Sequence, residues 1–281
     1  MTVQREHSQR KKSSEERIRE LQQQVDELTA ANHELKEQLE RKEQYTAMIA
    51  HELRGPLSPI INYAQMLARQ LSNPGNKSGE KTRTRIIERN TNIIISQARR
   101  LSRLVNDLLD ASRLSSGQFT LFCEPCDLVA LIHEMVEQLQ PVAPYHHLLV
   151  EAPETAIAGN WDAGRLQQVI GNLLDNAIKY SDERTTVTIR LWTTPDAVHV
   201  SVHNEGLLIS SSDISLLFKP YTRLPASSSR KGSGLGLYIT KSIIEAHGGS
   251  LHLDPLPSAE TGDMSPRGTT FTFDLPLTCK N

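Results

Sequence analysis

From Ile18 the chain repeats its apolar positions every seven residues. Ile18, Val25, Asn32 and Leu39 share one position of the repeat, and Leu21, Leu28 and Leu35 fall three residues after the first three. These are the a and d seams of a coiled coil. β-Branched or polar residues at a with leucine at d favour two parallel strands, and Asn32 at an a position fixes register at some cost in stability. The pattern predicts a flexible N-terminus over 1–15, a coiled-coil helix over 16–44, and two copies of the chain held side by side. Beyond Lys42 the apolar face broadens to Met48, Ile49, Leu53, Leu57, Ile60, Ile61, Ala64 and Leu67, a width that suits a four-helix bundle. Pro56 and Pro59 remove helical hydrogen bonds and predict a kink.

Ser72-Asn73-Pro74-Gly75-Asn76-Lys77-Ser78-Gly79 reads as a turn. A second amphipathic helix follows through Ile86, Ile87, Ile93, Ile94, Leu101, Leu104, Val105, Leu108 and Leu109, ending near Ser115-Ser116-Gly117. Residues 45–115 thus form a helical hairpin, and two hairpins close a dimeric four-helix bundle. After a linker at 116–126 the period changes. Val187, Ile189, Leu191 and then Val198, Val200, Val202 alternate as half-buried strands, as does Thr270 to Leu275, while Asp162 to Lys179 is helical with Leu166, Val169, Ile170, Leu173, Leu174 and Ala177 along one side. The expected fold is multidomain, α followed by α/β, with residues 127–281 as a layered domain whose helices cover one sheet face.

Composition changes this picture little. At 281 residues the chain holds one sizeable core plus an elongated helical part. A formal net charge of −2 offers no basic footprint, so no nucleic-acid partner is expected. Three cysteines, Cys123, Cys126 and Cys279, make no disulfide framework and point to a reducing compartment. Cys123-Glu124-Pro125-Cys126 lacks a second pair and reads as two ordinary thiols rather than a zinc or redox site. No run approaches the ~18 apolar residues of a membrane span, and the N-terminus, with Arg5, Arg10, Lys11 and Lys12, lacks a signal peptide's apolar core. The expected location is the cytoplasm, either alone or as the cytoplasmic part of a longer protein.

Three short stretches carry the chemistry. In Ala50-His51-Glu52-Leu53-Arg54-Gly55-Pro56-Leu57 an imidazole is followed by a carboxylate. One ring nitrogen attacks phosphorus only if the other sheds its proton, and an adjacent carboxylate supplies orientation and general-base help. A solvated His–Glu pair is the other reading of the octad by itself. In Asn172-Leu173-Leu174-Asp175-Asn176-Ala177-Ile178-Lys179-Tyr180 the two asparagines share a helical face, and neutral amides suit a site holding polyanionic phosphates with a cation. An ordinary solvated helix face fits that spacing too. Gly232-Ser233-Gly234-Leu235-Gly236-Leu237 precedes a helix over Leu237 to His247, where glycines let backbone N–H groups close on phosphate at a helix N-terminus. By itself, a plain loop would also satisfy it.

In this order and spacing the stretches resemble the H, N and G2 boxes of sensor histidine kinases, from about Tyr45 to Leu277. The resemblance implies a signalling coiled coil, a dimerisation and histidine phosphotransfer hairpin, and a Bergerat-type α/β sandwich that binds ATP. It makes His51 the phosphoacceptor and Glu52 its base. It makes Asn176 the Mg²⁺ ligand, adequate because magnesium takes few protein oxygens beside phosphate and water. Asn172, Lys179 and Tyr180 then line the nucleotide. Phe218-Lys219-Pro220-Tyr221-Thr222-Arg223 resembles the F box that leads into an ATP lid, with Arg223 toward phosphate and Gly232, Gly234, Leu235, Gly236 and Leu237 at the hinge. The implied reaction is ATP-dependent phosphorylation of His51, then transfer to an aspartate of a separate response regulator, since this chain holds no receiver-like segment.

Two positions depart from the family pattern. The G1 box, usually Asp-x-Gly-x-Gly, here reads Asn204-Glu205-Gly206-Leu207-Leu208. Asn204 still accepts a hydrogen bond from the adenine amino group, without charge assistance, so ATP binding is expected to survive with a weaker bond to the base; Leu208, in place of glycine, disfavours any conformation with positive φ. Gly55 stands where many relatives carry Thr or Asn to position the water that dephosphorylates the partner, and weak phosphatase activity follows. Two other readings stay open: a degenerate, nucleotide-binding dimeric signalling scaffold, and a conformational ATPase of the wider Bergerat-fold group.

Overall fold

The computed structural model describes residues 2–72, 80–206, 208–210, 213–222, 233–254 and 268–278. They divide into two compact units, Met1–Ser58 and Pro59–Asn281. Most of helix α1 (Thr2–Ser72) makes up the first. Residues 2–15, expected to be flexible, are helical instead; their Glu, Arg, Gln and Lys are strong helix formers that extend the coiled-coil helix backwards. Pro56 and Pro59, where a kink is expected, lie within the continuous helix, and the division into units falls between them. Leu21, Val25, Leu28, Leu35 and Leu39 are 54–70% exposed in the single chain, an apolar stripe of the kind a second helix covers.

In the second unit the end of α1 and helix α2 (Glu80–Ser115) form the hairpin, tied where the Arg83 guanidinium donates to the Gln70 carbonyl. The turn expected at Ser72–Gly79 lies, beyond Ser72, outside the described residues. Gly117, at φ 67°, turns the chain out of α2. Strand β1 (Glu124–Asp127) then pairs antiparallel with β3 (Ala158–Trp161), so the end of the expected linker is strand. Between them lie α3 (Leu128–Leu139), whose N-cap Asp127 accepts from the Val129 N–H at 3.0 Å, and β2 (His147–Glu151).

Helix α4 (Ala163–Tyr180) is capped by Asp162, and β4 (Thr186–Thr193), β5 (Ala197–Asn204), the short α5 (Ile214–Leu217), α6 (Gly236–Ala246), β6 (Ser250–Leu253) and β7 (Thr269–Pro276) follow. Five strands form one sheet in the order β2-β4-β5-β7-β6, with β2 parallel to β4 and the other pairs antiparallel. Alternation places Val198, Val200 and Val202 in the core with the apolar side of α4, beside the buried Leu166, Ile170, Leu174, Ile239 and Phe273. Trp161 is fully buried and satisfies its indole by donating to the Pro276 carbonyl at 2.7 Å. His247 is equally buried. Its Nδ1 donates to the Ile243 carbonyl at 2.8 Å and its Nε2 accepts from the Asp162 N–H at 3.1 Å, which requires the neutral ring. Burial lowers its pKa, in keeping with that state.

One cysteine expectation is overturned. Cys123 is disulfide-bonded, whereas Cys126 is a free thiol, so the bridge does not close the C-x-x-C motif. Three residues of extended chain span roughly 10 Å, beyond the reach of a disulfide. Cys279 lies outside the described residues, and cysteine usage no longer argues for a reducing compartment. No helix among the described residues is long and apolar enough to cross a membrane.

Candidate active site

His51 is exposed on α1, followed by the half-buried Glu52. Gly55 lies one turn on, and a Cβ built there meets nothing within 4 Å. All three belong to the first unit.

The remaining expected residues that the structure describes gather in the second unit where α4, the end of β5 and the start of α6 meet. Periodicity drives the apolar side of α4 into the core and leaves Asn172, Asn176 and Lys179 half-buried along the opposite edge. The Asn172 amide nitrogen donates to the Gly236 carbonyl at 3.3 Å and the Thr240 hydroxyl at 3.4 Å, so it binds α4 to the first turns of α6 and leaves Oδ1 for a ligand. Lys179 holds its ammonium 4.8 Å from the centre of the Tyr180 ring, a cation–π contact.

Beyond Tyr180 the chain bridges Ser181 to Gly206. A Cβ on Gly206 would stand 2.2 Å from the Tyr180 carbonyl oxygen, so only glycine lets the chain after β5 close on the end of α4. Next to this contact, Asn204 and Ser181 are 3% and 6% exposed, and neither the Asn204 Nδ2 nor the Ser181 Oγ has a hydrogen-bond partner among the described residues. Ser181 was not among the residues expected in the site; its one sequence signal is its place directly after the N-box stretch. Leu208, two residues beyond Gly206, is exposed.

Gly234, at φ 69°, accepts through its carbonyl from the Tyr221 N–H at 2.9 Å, and a Cβ there would meet the Thr222 carbonyl oxygen at 2.8 Å. This clasp fixes the two ends of the segment expected to be a lid. Arg223 and Gly232 lie outside the described residues. Gly236 opens α6, while Leu235 is fully buried, so its side chain belongs to the core and only its backbone faces the site; its N–H goes to the Ser233 hydroxyl at 3.3 Å. Leu237 is half-buried against the same core.

A cleft of about 590 Å³ separates α2 from α3 and α4. Across it the Asp110 carboxylate, 7% exposed, accepts from Arg165 at 2.7 Å and from Gln168 at 2.9 Å. Further along, Arg103 meets Asp175 at 3.0 Å, an exposed pair within the N-box stretch. Asp107 lines the same cleft. Burial, and next the charge of Asp110, raise its pKa to about 6 against the pull of Arg103. Nothing in the sequence foretells these contacts, because they join residues more than fifty positions apart.

A model of the His Kinase A (phospho-acceptor) domain matches residues 41–117, and a model of the histidine kinase-, DNA gyrase B- and HSP90-like ATPase matches residues 161–279. The sensor histidine kinase WalK of Bacillus subtilis is 30% identical over 186 residues, covering 64% of this chain and 29% of WalK. The sensor histidine kinase TrcS of Mycobacterium tuberculosis is 37% identical over 190 residues, covering 66% of this chain and 35% of TrcS. The solved structure of the histidine kinase AdeS of Acinetobacter baumannii shares the fold at a TM-score of 0.56 and 22% identity, over 81% of this chain and 98% of that one. A phospho-acceptor hairpin joined to an ATPase domain of this kind defines the class. The chain belongs to the sensor histidine kinases of two-component systems, and it spans only about a third of the length of WalK and TrcS.

Proposed function

We propose that this chain binds Mg-ATP in its α/β domain, phosphorylates His51, and passes the phosphoryl group to an aspartate of a separate response regulator. The base enters beside Asn204 and Ser181, and the phosphates run toward Asn176, Lys179, Tyr180 and the Gly234–Leu237 hinge, where the N-terminus of α6 favours an anion. Mg²⁺, held through the Asn176 side-chain oxygen, would offset phosphate charge. His51 Nε2 attacks the γ-phosphorus in line; the P–N bond forms as the bond to the β–γ bridging oxygen breaks, ADP leaves, and Glu52 takes the Nδ1 proton. The single observation that carries the nucleotide reading is the pair of buried, unsatisfied polar groups at Asn204 and Ser181, a costly arrangement in an otherwise apolar core unless a ligand completes it.

A second copy of the chain covers the exposed heptad stripe on α1, giving a homodimer with the cytoplasm as its working compartment. The bonds from Asp110 to Arg165 and Gln168, with Arg103–Asp175, hold α4 against α2 and part when the catalytic domain moves to reach His51. With no side chain at residue 55 to place a water, phosphatase activity toward the partner is weak. Incubating native protein and the His51→Gln variant with γ-labelled ATP tests the reading: acid-labile, base-stable label on the native chain and none on the variant is the expected result. Continued labelling of the variant would show that His51 is not the nucleophile.

A further inference from the structure

The face of β5 that carries Val198, Val200 and Val202 into the core ends in Asn204, between Val187 on β4 and Thr269 on β7. The strand alternation therefore presents this amide, 3% exposed, at the end of an apolar row, with its Nδ2 unpaired. The second unpaired group, the Ser181 Oγ, lies across the Ser181–Gly206 bridge, where the Asp182 N–H also donates to the Glu205 carbonyl at 2.8 Å. Both groups share a property that a carboxylate lacks. An amide offers an acceptor and two donors in one plane and exchanges them by turning over, and a hydroxyl donates or accepts as required.

We infer that Asn204 and Ser181 form a base-reading site that accepts 6-oxopurine nucleoside triphosphates as well as adenine nucleotides. The inference rests on the placement of the base at Asn204 proposed above. With adenine, Oδ1 accepts from the 6-amino group and Nδ2 donates to N1. With the amide turned over, Nδ2 donates to the 6-oxo group and Oδ1 accepts from N1–H, so each purine edge meets its complement. An aspartate in the same place accepts from a 6-amino group but sets its lone pairs against those of a 6-oxo group. Asn204 thus trades a charged hydrogen bond to adenine for tolerance at position 6.

The test is calorimetric titration of the full chain with ATP and with inosine triphosphate, which differs from ATP only on the base edge read by Asn204. The two dissociation constants are expected to agree within about tenfold in the native chain, and Asn204→Asp is expected to separate them by about a hundredfold or more in favour of ATP. Native protein that binds ATP but takes the inosine nucleotide a hundredfold more weakly overturns the inference and leaves the nucleotide site standing. Native protein that binds neither overturns the site with it. If Asn204→Asp does not fold, the native ratio alone decides.

Discussion

Replacing Asp107 by asparagine removes an acidic group of the α2–α4 cleft whose charge burial resists; Asp175, in the same cleft, is also raised by burial but is common to both proteins. Its carboxyl rises from 3.8 to about 6, first through burial and then through Asp110. Each unit is worth ~1.4 kcal/mol, so the shift corresponds to roughly 3 kcal/mol, trimmed to about 2 because solvent still reaches the side chain. For an acid whose folded pKa is raised, the stabilising contribution is complete below the unfolded value and is lost as pH rises through the folded one. The native chain therefore gives up this increment between about pH 4 and pH 6, whereas Asp107→Asn does not. Urea unfolding of both proteins from about pH 4 to pH 8 should show equal stability at the acid end and an advantage of about 2 kcal/mol for the variant above pH 7. His247, with its lowered pKa, contributes the opposite slope, its stabilisation lost as pH falls through the ordinary imidazole range. It is common to both proteins and cancels in the difference. A difference independent of pH, or a variant less stable at neutral pH, would refute the argument.

Asp110→Ala removes the acceptor of both Arg165 and Gln168, and leaving the arginine unpaired should loosen α4 from α2 by about 2–4 kcal/mol. Autophosphorylation measured with labelled ATP should then speed up severalfold, and a slower rate in a protein with unchanged melting would contradict the proposed restraint. Gly206→Ala forces the Tyr180 carbonyl and the new Cβ apart by roughly 1 Å, at a cost of about 1–3 kcal/mol. Calorimetry should show ATP affinity down tenfold or more, and an unaltered affinity would mean the bridge to Ser181 does not shape the pocket. Gly55→Thr has open space for its side chain, so the hairpin should tolerate it. Loss of phosphate from the phosphorylated regulator should quicken, and an unchanged rate would show that Gly55 does not limit phosphatase activity.

What the sequence reveals and conceals follows from the range of each signal. The heptads of α1, the alternating β4, β5 and β7, and the apolar face of α4 repeat over many residues, so they were legible directly. β1, β2, β3 and β6 have only four or five residues each, too few for a period to emerge. His51, Asn172, Asn176 and the glycine hinge were legible as motifs. Asn204 was legible as a departure, but its unpaired amide shows only once β5 is seated between β4 and β7. The pairing of Asp110 with Arg165 depends on α2 meeting α4, which no local pattern encodes.

The position of β7 constrains the order in which this protein can be made. It lies between β5 and β6 in the sheet although it follows β6 in the chain, so on the ribosome β6 is synthesised before the strand it pairs with among the described residues. The helices α1 and α2, built from contacts close in sequence, need not wait for it. In the proposed dimer, two nascent chains would then be free to pair through their helices before either sheet is complete.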